Sequence, residues 1–313
     1  MTGLPPISCG VQRESRMMPV FVTRRFVVLG VAVTAAAGRA RAGSSSLEDR
    51  IGHANDRIAA IEKREGGRLG VAVLDAGGGP TLAYRAGERF PMCSTFKLLA
   101  AAAVLKRVDE GKEKLDRVIP YGPGDLLEYA PVTKAHVADG GMTLGDLCAA
   151  AIDWSDNTAA NLVLDAIGGP QGFTAFVRSI GDSTTRLDRN EPTLNTAVPG
   201  DERDTTTPQA MAESVQKVLL GNVLSEGSRA QLEAWLIGDK VGDKRLRAGL
   251  PSSWGVGDKT GSGDHGTANV IAIIRPPGRA PLIAAVYYTE SDASMDARNA
   301  VHKEIGGIIA ETF

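Results

Sequence analysis

Ser94 and Lys97 stand three residues apart at the head of an apolar run, Ser94-Thr95-Phe96-Lys97-Leu98-Leu99-Ala100-Ala101-Ala102-Ala103-Val104-Leu105. A serine hydroxyl becomes a nucleophile when a neighbouring base takes its proton, and a desolvated amine is such a base because burial disfavours its charged form. On a helix, residues three apart share a face, so this spacing sets hydroxyl beside amine. Apart from its polar start and Lys97 the run is apolar all round, which predicts a buried helix. A buried ammonium is costly unless paired or functional. The free N–H groups of a helix start would also favour an anion near Ser94. Two simpler roles stay open at this point: Ser94 as an N-cap, and Lys97 snorkelling to solvent. Ser214 and Lys217 repeat the spacing within the amphipathic pattern Gln209–Leu220, whose polar face is expected to be solvated. Spacing alone therefore does not select a catalytic pair.

The elements that would position the first pair follow from periodicity and turn chemistry. Leu47–Glu65 reads as an amphipathic helix, with Ile51, Ile58 and Ile61 on one side. Arg68–Asp75 is strand-like, glycines 77–79 make a turn, and Thr81–Phe90 completes a hairpin. Pro91 marks the entry to the buried helix and Gly111 its exit. Helical patterns then dominate: Thr143–Asp153, Asn157–Ile167, Gly172–Ile180, Pro208–Leu220 and Ser228–Ile237. Strand character returns at Trp254–Lys259, Thr267–Arg275 and Leu282–Thr289, and residues 291–313 form a closing amphipathic helix. The expected fold class is α/β (α+β): an antiparallel sheet built from both chain ends and flanked by helices, with an inserted all-helical domain. The corresponding division is 43–90 plus 237–313 for the discontinuous α/β domain and 91–236 for the helical one. A cleft between two such parts is a favoured binding site. The polar, aperiodic stretch 184–207, with prolines at 192 and 199, reads as an Ω-loop whose neck Arg189 and Asp204 could close.

Residues 1–42 read as an export signal. Arg24 and Arg25 precede a short apolar run, and Ala40-Arg41-Ala42 offers a small-x-small cleavage site, a pattern of twin-arginine type. Met17 or Met18 could be the start, and the run is too short to span a membrane. The mature chain would be exported, to the periplasm or the medium. Removing this segment takes away six arginines and one glutamate, so the remainder is more acidic than the whole chain's formal charge of −2. That excludes nucleic acid as an expected partner. Cys9 leaves with the signal. Cys93 and Cys148 remain, and two free, buried thiols are expected, although an exported protein could also bridge them. His53, His136, His265 and His302 are scattered without metal-ligand spacing, so neither metal nor cofactor is expected. Nor does a Gly-x-Ser-x-Gly elbow occur.

Three further short motifs fall at element edges: Ser155-Asp156-Asn157 between two helical patterns, Glu191-Pro192-Thr193-Leu194-Asn195 in the Ω-loop, and Lys259-Thr260-Gly261 at a strand end. Each alone has an ordinary explanation, as a helix cap, an exposed loop acid or a strand terminus. Taken with Ser94-x-x-Lys97, in this order and spacing, they resemble the class A serine β-lactamases. The resemblance runs through Tyr129-Ala130-Pro131-Val132-Thr133, Arg-Asn-Glu-Pro-Thr-Leu-Asn at 189–195 and Lys-Thr-Gly-Ser-Gly-Asp at 259–264.

The resemblance implies a role for each position. Ser94 would attack the lactam carbonyl, giving its proton to Lys97, or to Glu191 through a water. Ser155 would relay a proton to the departing nitrogen. Backbone N–H groups of Ser94 and Ser262 would form the oxyanion hole. Lys259, Thr260 and Ser262 would hold the substrate carboxylate, Asn157 the acylamide side chain, and Tyr129 would wall the cleft. Glu191 with Asn195 would activate the water that clears the ester. The Glu191–Pro192 bond resembles one that is cis in the family. Substrates would be small β-lactams, penicillins and cephalosporins, and a monomer is expected.

Departures narrow the range. Many members carry an arginine where this chain has Ala268, and Arg245 occupies a position that supplies the charge in others. Cys93 resembles the carbapenem-hydrolysing branch, but its bridging partner there would fall at Gly263, so carbapenemase activity is not supported. Ser262-Gly263-Asp264 instead resembles the cefotaximases. Cys148 matches a position that is bridged in some relatives, with Ala101 at the partner position. The rival readings are a penicillin-binding D-Ala-D-Ala peptidase, which would lack the Glu191/Asn195 pair, and a β-lactam sensor domain.

Overall fold

The computed structural model describes residues 46–313, and the expected export signal lies outside them. Among the described residues, helix α1 (Leu47–Glu65) precedes β1 (Arg68–Asp75), β2 (Leu82–Tyr84) and β3 (Phe90–Pro91). The buried helix α2 (Phe96–Asp109) follows, then β4 (Val118–Pro120), β5 (Gly141–Thr143), α3 (Leu144–Asp153), α4 (Asn157–Ile167) and α5 (Gly169–Ser179). After the Ω-loop come β6 (Thr205–Thr206), α6 (Pro208–Leu219), α7 (Glu226–Ile237), β7 (Gly255–Gly263), β8 (Thr267–Arg275), β9 (Leu282–Thr289) and α8 (Met295–Thr312).

Five strands form one antiparallel sheet in the order β2-β1-β9-β8-β7, so both chain ends build it, as expected. Its register places Val71 opposite Val286, and Val270 opposite the same residue from the other side. Successive strand side chains point to opposite faces, and here both faces are covered. Val71, Val73, Val270, Ala272, Val286 and Tyr288 pack with Ile51, Ile58 and Ile61 of α1 and Val301, Ile305 and Ile308 of α8. The alternate residues Ala72, Ile271, Ile273, Ile283, Ala285 and Tyr287 pack with helices α2 to α7. A sheet buried on both faces needs near-continuous apolar strands, and β8 and β9 have them: every residue of β9, and all of β8 but Arg275, is buried.

Some expectations need correction. The strand expected over Thr81–Phe90 is split: Arg85 adopts a left-handed φ of 45°, which ends β2, and Phe90–Pro91 pairs instead with Thr205–Thr206. Helix α5 starts at Gly169 rather than Gly172, with Pro170 in the first turn, where its missing N–H costs nothing. Lys259-Thr260-Gly261 is not a strand end; β7 continues to Gly263. Ser214 is not on a solvated face either. It is fully buried and donates to Asp182 Oδ2 at 2.9 Å, while Lys217 donates to the Ile180 carbonyl.

Candidate active site

Ser94 sits in a short 3₁₀ turn, Cys93–Thr95, that leads into α2. Three strands fix that turn. Asn269 of β8 donates its amide to the carbonyls of Pro91 and Met92 at 2.8 and 3.2 Å. Thr95 Oγ1 donates to the Met92 carbonyl and lies 3.1 Å from the Tyr287 hydroxyl of β9. A Cβ on Gly261 of β7 would lie 2.9 Å from the Met92 carbonyl, so only glycine lets the strand approach this closely. Ser94 is no N-cap: Thr95 holds that position in α2, and no side chain caps it. Instead Ser94 Oγ donates to Glu191 Oε1 at 3.1 Å.

Lys97 does not snorkel; it is 1% exposed. Its Nζ donates to the Ser155 carbonyl at 2.8 Å and to Asn157 Oδ1 at 2.7 Å, lies 3.4 Å from Ser155 Oγ, and is 3.1 Å from Glu191 Oε1. Burial pushes this amine below the usual lysine range, and the Glu191 carboxylate opposes the shift. Asp156 braces the segment that presents Ser155. The aspartate is the N-cap of α4, accepting from the Ala159 N–H, and it also accepts the N–H groups of Val132 and Thr133. Ser155 just before it takes a left-handed φ of 56°, a strained geometry of the kind found at active sites.

Glu191 is held from both sides. Asn161 accepts its N–H at 3.0 Å and donates to its carbonyl at 2.9 Å, while Asn195 Nδ2 donates to its Oε2. The bond to Pro192 is cis. At the loop's neck Arg189 Nε meets Asp204 Oδ2 at 2.6 Å, and Asp204 Oδ1 accepts the N–H groups of Asp188 and Arg189. The pair is largely buried, which is the condition under which it matters.

Opposite stands β7. Lys259 is fully buried and donates to the Thr260 carbonyl at 2.9 Å. Burial first, and then the Lys97 charge, lower its amine to about 7. Arg245 reaches the strand from the segment before it: Nη1 donates to the carbonyls of Gly261 and Asn269, Nη2 to Ser262 Oγ at 2.6 Å, and Nε to Asn299 Oδ1. Between the two walls lies a cleft of about 430 Å³. Ser94, Tyr129, Ser155, Asn157, Asn195, Thr260, Ser262 and Arg245 line it, whereas Lys97, Glu191 and Lys259 are buried in its walls and floor. All eleven expected site residues thus gather at one place. Among the described residues no group of three or more histidines, cysteines or acids is arranged to hold a metal ion.

A model of the beta-lactamase enzyme family matches residues 53–313. The chain is 50% identical to beta-lactamase CTX-M-8 of Citrobacter amalonaticus over 87% of this chain and 93% of that protein. It is 48% identical to beta-lactamase OXY-2 of Klebsiella oxytoca over 90% and 97%. Among solved structures, an ancestral (GNCA) class A beta-lactamase matches with a TM-score of 0.82 and 63% identity, covering 83% of this chain and all of that one. The chain belongs to the class A β-lactamases.

Against that family the chain's departures have a physical setting. Gly263 lies so close to Cys93 that a Cβ there would stand 2.7 Å from Sγ, and Cys93 and Cys148 are free and buried. Burial pushes both thiols well above the usual range. Sequence reasoning missed the residues that hold the expected catalytic groups from behind: Asn161, Asn269 and the clamp role of Asp156. Asn161 did carry a signal, because it is one helical turn beyond Asn157 and so shares its face. Nothing comparable marked Asn269, a polar residue inside an apolar strand. Lys244, Met295 and Asn299 also line the cleft without a sequence motif to announce them.

Proposed function

We propose that the enzyme hydrolyses the β-lactam amide of penicillins and cephalosporins through a Ser94 acyl-enzyme, conferring resistance to them. The observation that carries this reading is that one carboxylate oxygen, Glu191 Oε1, lies 3.1 Å from both Ser94 Oγ and Lys97 Nζ at the cleft floor. Ser94 Oγ attacks the lactam carbonyl, and its proton passes to the Lys97 amine or, through a water, to Glu191. The N–H groups of Ser94 and Ser262 hold the oxyanion as the tetrahedral centre forms. The C–N bond then breaks as Ser155 Oγ–H protonates the ring nitrogen, and the proton taken from Ser94 returns to Ser155 through Lys97, whose Nζ is 3.4 Å from Ser155 Oγ. In the second half, Glu191 takes a proton from a water that it holds with Asn195. The water oxygen attacks the ester, and Ser94 Oγ departs with the proton that Glu191 took from the water.

The substrate's carboxylate is met by Lys259, Thr260 and Ser262, with Arg245 supplying the second cation. Asn157 takes the acylamide, and Tyr129 walls the opening. The Glu191/Asn195 pair favours a hydrolase over a D-Ala-D-Ala peptidase or a sensor domain, because either of those would acylate and then stall. The chain falls into an α/β part, 43–90 plus 237–313, and a helical part, 91–236, with the cleft between them. Residues 1–42 direct export to the periplasm or the medium, and the enzyme works as a monomer. Among the described residues no helix is long and apolar enough to cross a membrane.

Turnover of a chromogenic cephalosporin, followed with mass spectrometry of the intact protein, tests the reading. Fast hydrolysis without a lasting adduct is expected. A stoichiometric adduct persisting for hours would refute the hydrolase and favour its rivals. Secreted material should begin at Gly43 if the signal is cut as proposed.

A further inference from the structure

Behind Lys259 the protein buries two carboxyl groups against each other. Asp258 precedes Lys259 in β7, and Asp239 follows the end of α7; both are buried. One oxygen of each has a donor: Asp239 Oδ1 accepts the Val241 N–H at 3.1 Å, and Asp258 Oδ1 accepts the Arg247 guanidinium. The other oxygen of each, Oδ2, is buried with no donor. Both Oδ2 atoms converge on Gly242, where a Cβ would stand 2.1 Å from that of Asp258 and 2.4 Å from that of Asp239. The two oxygens are therefore no farther apart than these two reaches combined. No side chain fits at 242 without displacing a carboxylate.

Two ionised carboxylates cannot both persist this close in a buried site, and two acceptors facing each other leave each with an unmet desolvation cost. One proton between them removes both problems. We propose that Asp239 is held as a neutral acid whose Oδ2–H donates to Asp258 Oδ2, so that the two act as a positioning pair presenting a single negative charge to Lys259. Asp258 keeps the charge because Arg247 is its ion-pair partner, whereas Asp239 has only a backbone N–H. Burial raises both acids, and the Asp258 charge raises Asp239 further.

The other charged groups around the pair are consistent with one net charge. Lys259 faces it from β7, with Lys97 beyond, and Arg245 and Arg247 face it from the preceding segment. Asp243 Oδ1 lies 3.9 Å from Arg247 Nε, and its charge adds to the rise of Asp258. From α3, Asp153 approaches Gly238, its own carboxyl pushed up to about 6 by burial, with Lys240 opposing. Burial first, and then the charges of Asp156 and Asp239, raise the Tyr129 phenol. A second full negative charge here would bind Lys259 more tightly to protein carboxylates and leave less of its field for the substrate's.

The inference rests on Lys259 serving the reaction proposed above, so two independent readouts are needed. The first is infrared difference spectroscopy of the full enzyme against Asp239→Asn at neutral pH. A protonated-carboxyl C=O band present in the wild type and lost in the variant is expected; its absence from the wild type overturns the proposal. The second is the alkaline limb of kcat/KM for a cephalosporin. Asparagine reproduces the shape and the donor of a neutral acid, so Asp239→Asn is expected to leave the alkaline midpoint in place. Asp258→Asn removes the charge, and the midpoint is expected to fall by about 1 pH unit. A fall in Asp239→Asn like that in Asp258→Asn would mean that Asp239 carries its own charge, and would overturn the proposal. Should Asp258→Asn fail to fold with Arg247 unpaired, the band and the Asp239→Asn midpoint decide by themselves. Failure of the hydrolase reading shows as absent turnover and leaves the infrared result intact; normal turnover without the band refutes the pair alone.

Discussion

Replacing Glu191 with glutamine separates the two halves of the reaction. Glu191 Oε1 is 3.1 Å from Lys97 Nζ, and both side chains are wholly buried. At an effective dielectric constant of about 20, a unit-charge pair at that distance interacts by about 5 kcal/mol. This attraction opposes the downward shift that burial imposes on Lys97. Glutamine keeps the shape and removes the charge, so Lys97 loses its main reason to stay protonated and can accept the Ser94 proton. Deacylation has no such substitute, because an amide cannot take a proton from water. Loss of a general base typically costs about 10²- to 10⁴-fold, or roughly 3–5 kcal/mol of barrier. In stopped flow with a chromogenic cephalosporin, Glu191→Gln should release one equivalent of product in a burst and then turn over about 10²- to 10⁴-fold slower than the wild type. Its mass should rise by that of the acyl group. Steady-state turnover like the wild type's, with no adduct, would refute the assignment of Glu191 as deacylating base. A variant that shows neither burst nor adduct would instead make Glu191 the acylation base as well, and would remove Lys97 from that role.

Four further outcomes follow from the same geometry. Arg245→Ala removes a charge-assisted donor worth about 1.5–3 kcal/mol, so KM for penicillins should rise at least tenfold, and Arg245→Lys should recover little because an ammonium cannot reproduce the planar fork; unchanged kinetics would mean that another cation serves. Asp204→Ala strands Arg189 and the N–H groups of Asp188 and Arg189 in a largely buried neck, so urea unfolding should show a loss of about 3–5 kcal/mol, whereas under 1 kcal/mol would mark the pair as a mere surface bridge. Because burial and Lys97 lower the Lys259 amine to about 7, its positive charge is present below that pH and fades above it. Accordingly kcat/KM should decline as pH rises through that value, and a profile flat to strongly alkaline pH would contradict it. Burial of Cys93 and Cys148 predicts that native protein resists a disulfide reagent and that both thiols react after denaturation.

How much of this was legible beforehand depends on whether a residue's role is local. Helices α1 and α4 and strands β8 and β9 were readable because their apolar spacing reports on the surface each one buries. The split at Arg85 was not: a turn closed by the Glu88 N–H on the Arg85 carbonyl ends β2, and Phe90–Pro91 finds its partner at Thr205–Thr206, more than a hundred residues away. The side chains proposed to react were readable as motifs, and they lie together at one cleft. The groups that aim them were less so. Asn161 could have been found from its helical turn beyond Asn157. By contrast Asn269, which pins the Ser94 turn, and Asp239, which meets Asp258 beside Gly242, acquire partners only when distant segments come together.

The chain's internal comparison shows what spacing lacks. Ser214 and Lys217 share the three-residue separation of Ser94 and Lys97, and Ser214 is buried more deeply than Ser94. Burial is therefore not what distinguishes the pairs. Ser214 donates to Asp182, and Lys217 donates to the Ile180 carbonyl, so each is satisfied by its own partner in the segment after α5. Ser94 and Lys97 instead converge on one carboxylate oxygen that arrives from a separate loop, and Ser94 opens onto a cleft. A proton can move between groups that share an acceptor, whereas it has nowhere to go between groups that are satisfied separately. The loop is thus what turns an acylating pair into a hydrolase, and shifting Glu191 by a single turn would leave Ser94-x-x-Lys97 able to acylate but not to turn over.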